Sequence, residues 1–208
     1  DIVINELDAL AHIDLKTKEI KAIGRTLNIV RIGTSGSVQA DIPVDSFVIS
    51  EKSIGCDGVL RFYANNESVC DHPFEEAFIR HCRWTPSAAR PYVVNADPGL
   101  VDRLYDEEHT IKGVTLTAVG FYGPQGRVLR LPLAMPGIND RITAFRYEGY
   151  KVTNYEMESA AITGLCNLLG HRAATICLII ANRINGDASA DYHSYMNKLI
   201  RYTLEKLS

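Results

Sequence analysis

The chain has 208 residues, 22 Lys and Arg against 25 Asp and Glu, a formal charge of −3 and 46% apolar residues. That composition supports one well-filled core and excludes disordered, collagen-like and coiled-coil classes. A near-neutral charge without basic clusters argues against gripping nucleic acid or anionic membrane, and no apolar run approaches the ~20 residues of a membrane span.

No basic-then-apolar signal segment opens the sequence. The five cysteines (Cys56, Cys70, Cys82, Cys166 and Cys177) are odd in number and lack a C-x-x-C pair, so they read as reduced thiols of a cytoplasmic protein. The six histidines form no H-x-x-x-H pair, and no histidine-built metal site is expected.

The elements follow in chain order. Ile4, Leu7, Leu10 and Ala11 keep the three-to-four spacing of a buried helical stripe, and the charged stretch 14–21 reads as a solvated loop. Leu27 to Ile32 predicts a buried strand, stopped by a small-residue loop, Gly33-Thr34-Ser35-Gly36. Ser46 to Ser50 predicts a second strand, followed by a loop through Gly55 and Gly58. Short helices fit Pro73–His81 and Pro98–Asp106, and Val114 to Val119 alternates as a strand. Residues 129–149 read as a long loop with a helix after Asn139. Glu156 to Leu169 predicts a helix ending at Gly170. Ala173 to Ala181 is apolar on both faces, as parallel central strands are. A closing amphipathic helix runs from Tyr192 to Leu207. Strands alternating with helices predict one α/β domain over 1–208, with a mixed, largely parallel sheet between helical layers.

Ligands in such sheets gather where strands end, and several strand ends carry polar residues. Arg31 with Thr34 and Ser35, flanked by Gly33 and Gly36, suits an oxyanion, or forms a plain turn whose arginine pairs a carboxylate. Phe121-Tyr122-Gly123-Pro124-Gln125-Gly126-Arg127 combines rings that can stack on a heterocycle with an amide and a guanidinium that can read its edge; the alternative is a surface turn. Glu156 and Glu158 lie where the dipole of the predicted helix favours negative charge. They either cap the helix or accept hydrogen bonds from sugar hydroxyls. Asn182-Arg183 follows the last buried strand.

Taken in order, Arg-Ile-Gly-Thr-Ser-Gly, Phe-Tyr-x-x-Gln-Gly-Arg, Asn-Tyr-Glu-Met-Glu-Ser and Asn-Arg resemble the uridine phosphorylases of the nucleoside phosphorylase-I family, across nearly the whole chain. The Gln125/Arg127 loop resembles the pyrimidine branch. So does Asn182, where purine phosphorylases of the family carry an aspartate. The resemblance implies a three-layer α/β/α fold and reversible, phosphate-dependent cleavage of uridine to uracil and ribose 1-phosphate. It assigns Arg31, Gly33, Thr34 and Ser35 to phosphate, and Phe121, Gln125, Arg127, Ile180, Ala181 and Arg183 to the base, with Gln125 and Arg127 catalytic. Thr34, Glu156, Met157 and Glu158 fall to the ribose. It implies no metal or organic cofactor, phosphate being a substrate, and a homodimer or homohexamer with shared active sites. The family's opening strands, its Gly-Asp-Pro loop and its Thr-Gly-Ile-Gly stretch have no counterpart here, so the expectation is an N-terminally incomplete domain. A nucleosidase, a purine nucleoside phosphorylase or an inactive nucleoside-binding relative are the alternatives.

Overall fold

The computed structural model describes residues 1–208. Eight strands are β1 (Asn28–Ser37), β2 (Phe47–Gly55), β3 (Tyr92–Asn95), β4 (Thr110–Thr117), β5 (Arg146–Tyr147), β6 (Tyr150–Glu156), β7 (Arg172–Asn182) and β8 (Asp187–Ala188). Six helices are α1 (Ile2–His12), α2 (His72–Cys82), α3 (Pro98–Leu104), α4 (Ile138–Ala144), α5 (Ser159–Leu168) and α6 (Tyr192–Leu207).

The strands form one mixed sheet in the order β3-β2-β4-β6-β1-β7-β8, with β5 paired to β6. The two longest ladders, β1 with β7 and β2 with β4, are parallel. An additional antiparallel pairing of β2 with β7 joins the path back on itself, so β2, β4, β6, β1 and β7 close into a ring. Helices flank this ring. Phe74 and Phe78 of α2 with Ile138 and Ile142 of α4 pack on Ile54, Leu116 and Val152. Leu165 and Cys166 of α5 pack with Ile4 of α1 on Tyr92, Val94 and Ala173. Leu100 and Leu104 of α3 pack with Leu199 of α6 on Ile49, Ile176 and Leu178. Burial of these side chains supplies the main favourable term of folding.

The strands also bury polar side chains. The Ser50 and Thr115 hydroxyls lie 2.6 Å apart, Thr115 donates to Asn154 Oδ1 at 3.0 Å, and the Ser53 and Ser159 hydroxyls lie 2.8 Å apart. These contacts link β2, β4, β6 and α5 and satisfy groups that would be costly to bury alone.

Several expectations need correction. Gly33-Thr34-Ser35-Gly36 is not a loop: β1 runs through it to Ser37, pairing β7 throughout. The helix expected from Glu156 begins at Ser159, because Tyr150–Glu156 is a central strand, β6. The stretch 129–149 is a loop that leads into one helix, α4, as expected, with the two-residue strand β5 added after it. β2 continues through Gly55, and α3 stops at Leu104. In α1 only Ile4 and Ala11 are buried, while Leu10 is 60% exposed. α6 matches its expected segment, and β7 is buried along most of its length.

Candidate active site

Four segments meet at one end of the ring: β1, the loop after β4, the β6–α5 turn and the end of β7. They enclose a cavity of about 320 Å³ lined by Arg31, Thr34, Ser35, Gly36, Phe121, Gln125, Arg127, Tyr155, Glu156, Met157, Glu158, Ile180, Ala181 and Arg183. All the site residues expected from the sequence line it except Gly33.

Gly33 acts from behind. Arg31 rises from β1 across Gly33, where a Cβ would stand 2.6 Å from the guanidinium Nη1. The missing side chain is therefore the slot in which Arg31 lies. The guanidinium sits over Cys177, with Nη1 3.3 Å from Sγ and 3.2 Å from Glu156 Oε2, and Nη2 on the Glu158 carboxylate. Burial pushes the Cys177 thiol up to about 11, so it remains a neutral floor. The Ser35 hydroxyl beside it is buried without a hydrogen-bond partner.

Glu156 and Glu158 differ sharply. Glu156 is buried, and its carboxylate accepts from Thr117 Oγ1 at 2.5 Å and from the N–H groups of Glu158 and Ser159 at 2.8 Å each. Its role is to hold Arg31 and the 157–159 turn at the start of α5; burial raises its carboxyl above the ordinary range against these opposing contacts. The Glu158 side chain is 55% exposed and faces the cavity beside Met157. Of the two carboxylates, Glu158 is the one placed to take hydroxyls from a ligand.

The other end of the cavity belongs to the loop after β4. Gln125 is buried, and its Oε1 accepts from Arg127 Nη1 at 2.6 Å and from Arg183 Nη2. Two guanidinium donors on one oxygen fix which end of the carboxamide is which. Arg183 Nη1 also donates to the Gln125 carbonyl at 3.1 Å. Each guanidinium rests on a ring: Arg127 lies 3.9 Å from the Phe121 centroid and Arg183 4.4 Å from that of Tyr155. Burial lowers both arginines; Arg183, also facing Arg127, is pushed down to about 10. Their partners are carbonyl oxygens and aromatic faces, not carboxylates. Ile180 and Ala181 form the apolar wall between the ends.

Asn182 does not reach the cavity. Its Nδ2 donates to the carbonyls of Gln39 and Ile42 at 2.9 and 2.8 Å, and its Oδ1 accepts from Ile184 and Asn185 N–H at 2.9 and 3.0 Å. It organises the turn that aims Arg183. Sequence reading missed Tyr155, Thr117 and Asn139, whose partners are remote in sequence.

It also missed a meeting of Asp8, His12 and His171. His12 Nδ1 and His171 Nε2 lie 2.9 and 3.1 Å from Asp8 Oδ1. The Leu27 N–H donates to His171 Nδ1 at 3.2 Å, so the His171 proton sits on Nε2 and points at Asp8. A metal would need that nitrogen's lone pair. The trio does not fit a cation as arranged; it ties α1 to the start of β7. No helix is long and apolar enough to cross a membrane.

The chain is similar to known proteins over most of its length. Uridine phosphorylase A of Schistosoma mansoni is 36% identical over 160 residues, 76% of this chain and 49% of that protein. A uridine phosphorylase of Thermococcus kodakarensis is 26% identical over 176 residues, 82% of this chain and 53% of its own length. The chain thus spans about half the length of these curated relatives. The crystal structure of a Trypanosoma brucei nucleoside phosphorylase, described as showing uridine phosphorylase activity, superposes with a TM-score of 0.83 at 24% identity, covering 99% of this chain and 75% of that one. That likeness establishes the shared fold. Residues 15–203 match the model of the phosphorylase superfamily, and the chain belongs to that superfamily.

Proposed function

We propose that the cavity binds a pyrimidine nucleoside, and that the protein cleaves uridine with phosphate, reversibly, to uracil and ribose 1-phosphate. The observation that carries this reading is the pair of guanidinium groups, Arg127 and Arg183, converging on Gln125 without a carboxylate partner. Half-buried positive charge without a counter-ion carries a desolvation cost that an arriving anion offsets. Uracil leaving its sugar gathers negative charge on its carbonyl oxygens, which Arg127 would meet where the charge develops. Such contacts favour the transition state over the bound substrate.

At the opposite end Glu158 would accept the ribose hydroxyls, with Met157 against the sugar. Phosphate would enter beside Arg31, Thr34 and Ser35, taking the Arg31 donors that Glu158 holds in the free protein. It would then attack the anomeric carbon as the bond to uracil breaks, so that the oxygen–carbon bond forms and the base departs with the bonding pair. This reading needs no metal or organic cofactor. It also extends to a homo-oligomer with shared sites: Phe121, Tyr122, Leu129 and Leu131 are exposed apolar groups on the loop beside the cavity.

One observation favours a second reading. Arg31 already stands between two carboxylates, a setting that suits a neutral nucleophile better than a phosphate dianion, and water in its place would make the enzyme a nucleosidase. The two separate in an assay of uridine, thymidine, cytidine and inosine with and without phosphate. Phosphorolysis requires uracil release that depends on phosphate and yields ribose 1-phosphate. Phosphate-independent release of free ribose would replace it with hydrolysis, and inosine as preferred substrate would overturn the pyrimidine assignment.

A further inference from the structure

The base-reading loop is held by a residue that lies outside the cavity lining. Asn139, in the first turn of α4, donates from Nδ2 to the Gln125 carbonyl at 3.1 Å and to the Gly126 carbonyl at 3.5 Å. Its Oδ1 accepts from the Tyr155 hydroxyl at 3.1 Å. Gly126 has φ +69°, and a Cβ there would stand 2.4 Å from Asn139 Nδ2. The carboxamide thus lies flat against the loop, at a position only glycine can occupy without strain. Tyr155 is buried and carries the Arg183 guanidinium on its ring. Arg183 in turn shares the Gln125 carbonyl with Asn139. Asn139, Tyr155, Arg183 and Gln125 therefore form a closed circuit, with the Gln125 Oε1 as its outlet toward Arg127.

We propose that Asn139 is a positioning residue for base recognition and sets the choice of a uracil-type edge over a cytosine-type edge through Gln125; this rests on the pyrimidine-nucleoside reading above. In the free protein both lone pairs of Gln125 Oε1 are taken by arginines. A base can open that network without loss only if it supplies an acceptor for the displaced arginine and a donor for Oε1, side by side. The O4 and N3–H of uracil do this. The N4 amine and N3 of cytosine present the reverse and would leave buried groups unpaired. The exchange discriminates only while Gln125 stays in register, and Asn139 is the side chain outside the cavity lining that holds its backbone carbonyl.

The test is steady-state kinetics of the wild-type chain and of Asn139→Ala, Asn139→Asp and Tyr155→Phe, with uracil binding followed in parallel by calorimetry. Asn139→Ala should raise KM for uridine about tenfold and narrow the uridine-over-cytidine ratio, leaving KM for phosphate within about twofold. Asn139→Asp keeps the acceptor for Tyr155 but sets a carboxylate against two carbonyls, so it should be at least as damaging. Tyr155→Phe, which keeps the ring, should do less. A role confined to folding would lower Tm in these variants and leave the KM split and the substrate ratio unmoved, which would overturn the proposal. If the wild type neither binds uracil nor cleaves uridine, the functional reading and this inference fall together. If it does both and Asn139→Asp matches it, only this inference is overturned.

Discussion

The two ends of the cavity are built on opposite electrostatic plans. At the end proposed to read the base, here the base end, two arginines meet one amide and two aromatic faces, with positive charge in excess and the side chains locked from outside by Asn139 and the turn of Asn182. At the end proposed for sugar and phosphate, a single arginine is balanced by two carboxylates, one buried and fully bonded, the other exposed. The loop backbone at the base end is fixed before a ligand arrives, and one guanidinium has only to turn from a neutral amide oxygen to the base, whereas the other end must move Arg31 off the Glu158 carboxylate to an incoming group. Preorganised donors cost little reorganisation during reaction, so the base end should dominate turnover and the phosphate end should respond in apparent affinity.

That contrast can be broken most severely at Arg127. Arg127→Ala should lower kcat by about 10²–10³-fold, the usual cost of removing one charge-stabilising donor. Tm should barely change, since Arg127 is only partly buried and its partners are a loop carbonyl and a loop amide. Next comes Gly33→Ala, whose Cβ must displace the Arg31 guanidinium. We expect kcat/KM for phosphate to fall by about 10²-fold while uracil binding, measured by calorimetry, stays near wild type; equal damage at both ends would erase the distinction. Glu158→Gln should raise KM for uridine by roughly tenfold, a charged hydrogen bond being replaced by a neutral one, and should act less on 2′-deoxyuridine, which lacks one hydroxyl.

The smallest effect is on stability against pH. Burial holds the Glu156 carboxyl above its ordinary value of 4.5, so the folded chain binds that proton more tightly than the unfolded chain does. The resulting stability is complete below pH 4.5 and is lost as pH rises through the higher folded value. Tm of the wild type should therefore decline more between pH 4.5 and neutrality than Tm of Glu156→Gln. Parallel profiles would show that Glu156 does not titrate differently on folding.

How far the sequence showed this arrangement depends on where each residue finds its partners. β7 and α6 carry their own patterns, continuous apolar character in one and 3.6-residue periodicity in the other, and both are legible locally. β6 is not, because its interior includes Thr153 and Asn154, whose Oγ1 and Oδ1 reach the Val114 carbonyl and the Thr115 hydroxyl across the sheet. Gly33 predicts too early an end for β1 because glycine usually marks a turn; here it makes room for the Arg31 guanidinium. The side chains that line the cavity lie in short runs of chemistry-bearing residues at strand ends, which is why they could be named. Glu156 and Asn182 stand in those same runs yet serve the backbone, and only their hydrogen bonds separate them from Glu158 and Arg183. Asn139, Thr117 and the Asp8–His12–His171 trio make contacts that no local spacing announces.

The most direct test is calorimetric titration of the chain with uracil, cytosine and phosphate, each alone. A base end organised in advance predicts that uracil binds without phosphate, at least about tenfold more tightly than cytosine, while phosphate alone binds weakly because Arg31 must first leave Glu158. Equal affinity for the two bases, or phosphate binding that is tight alone and required before uracil, would contradict it.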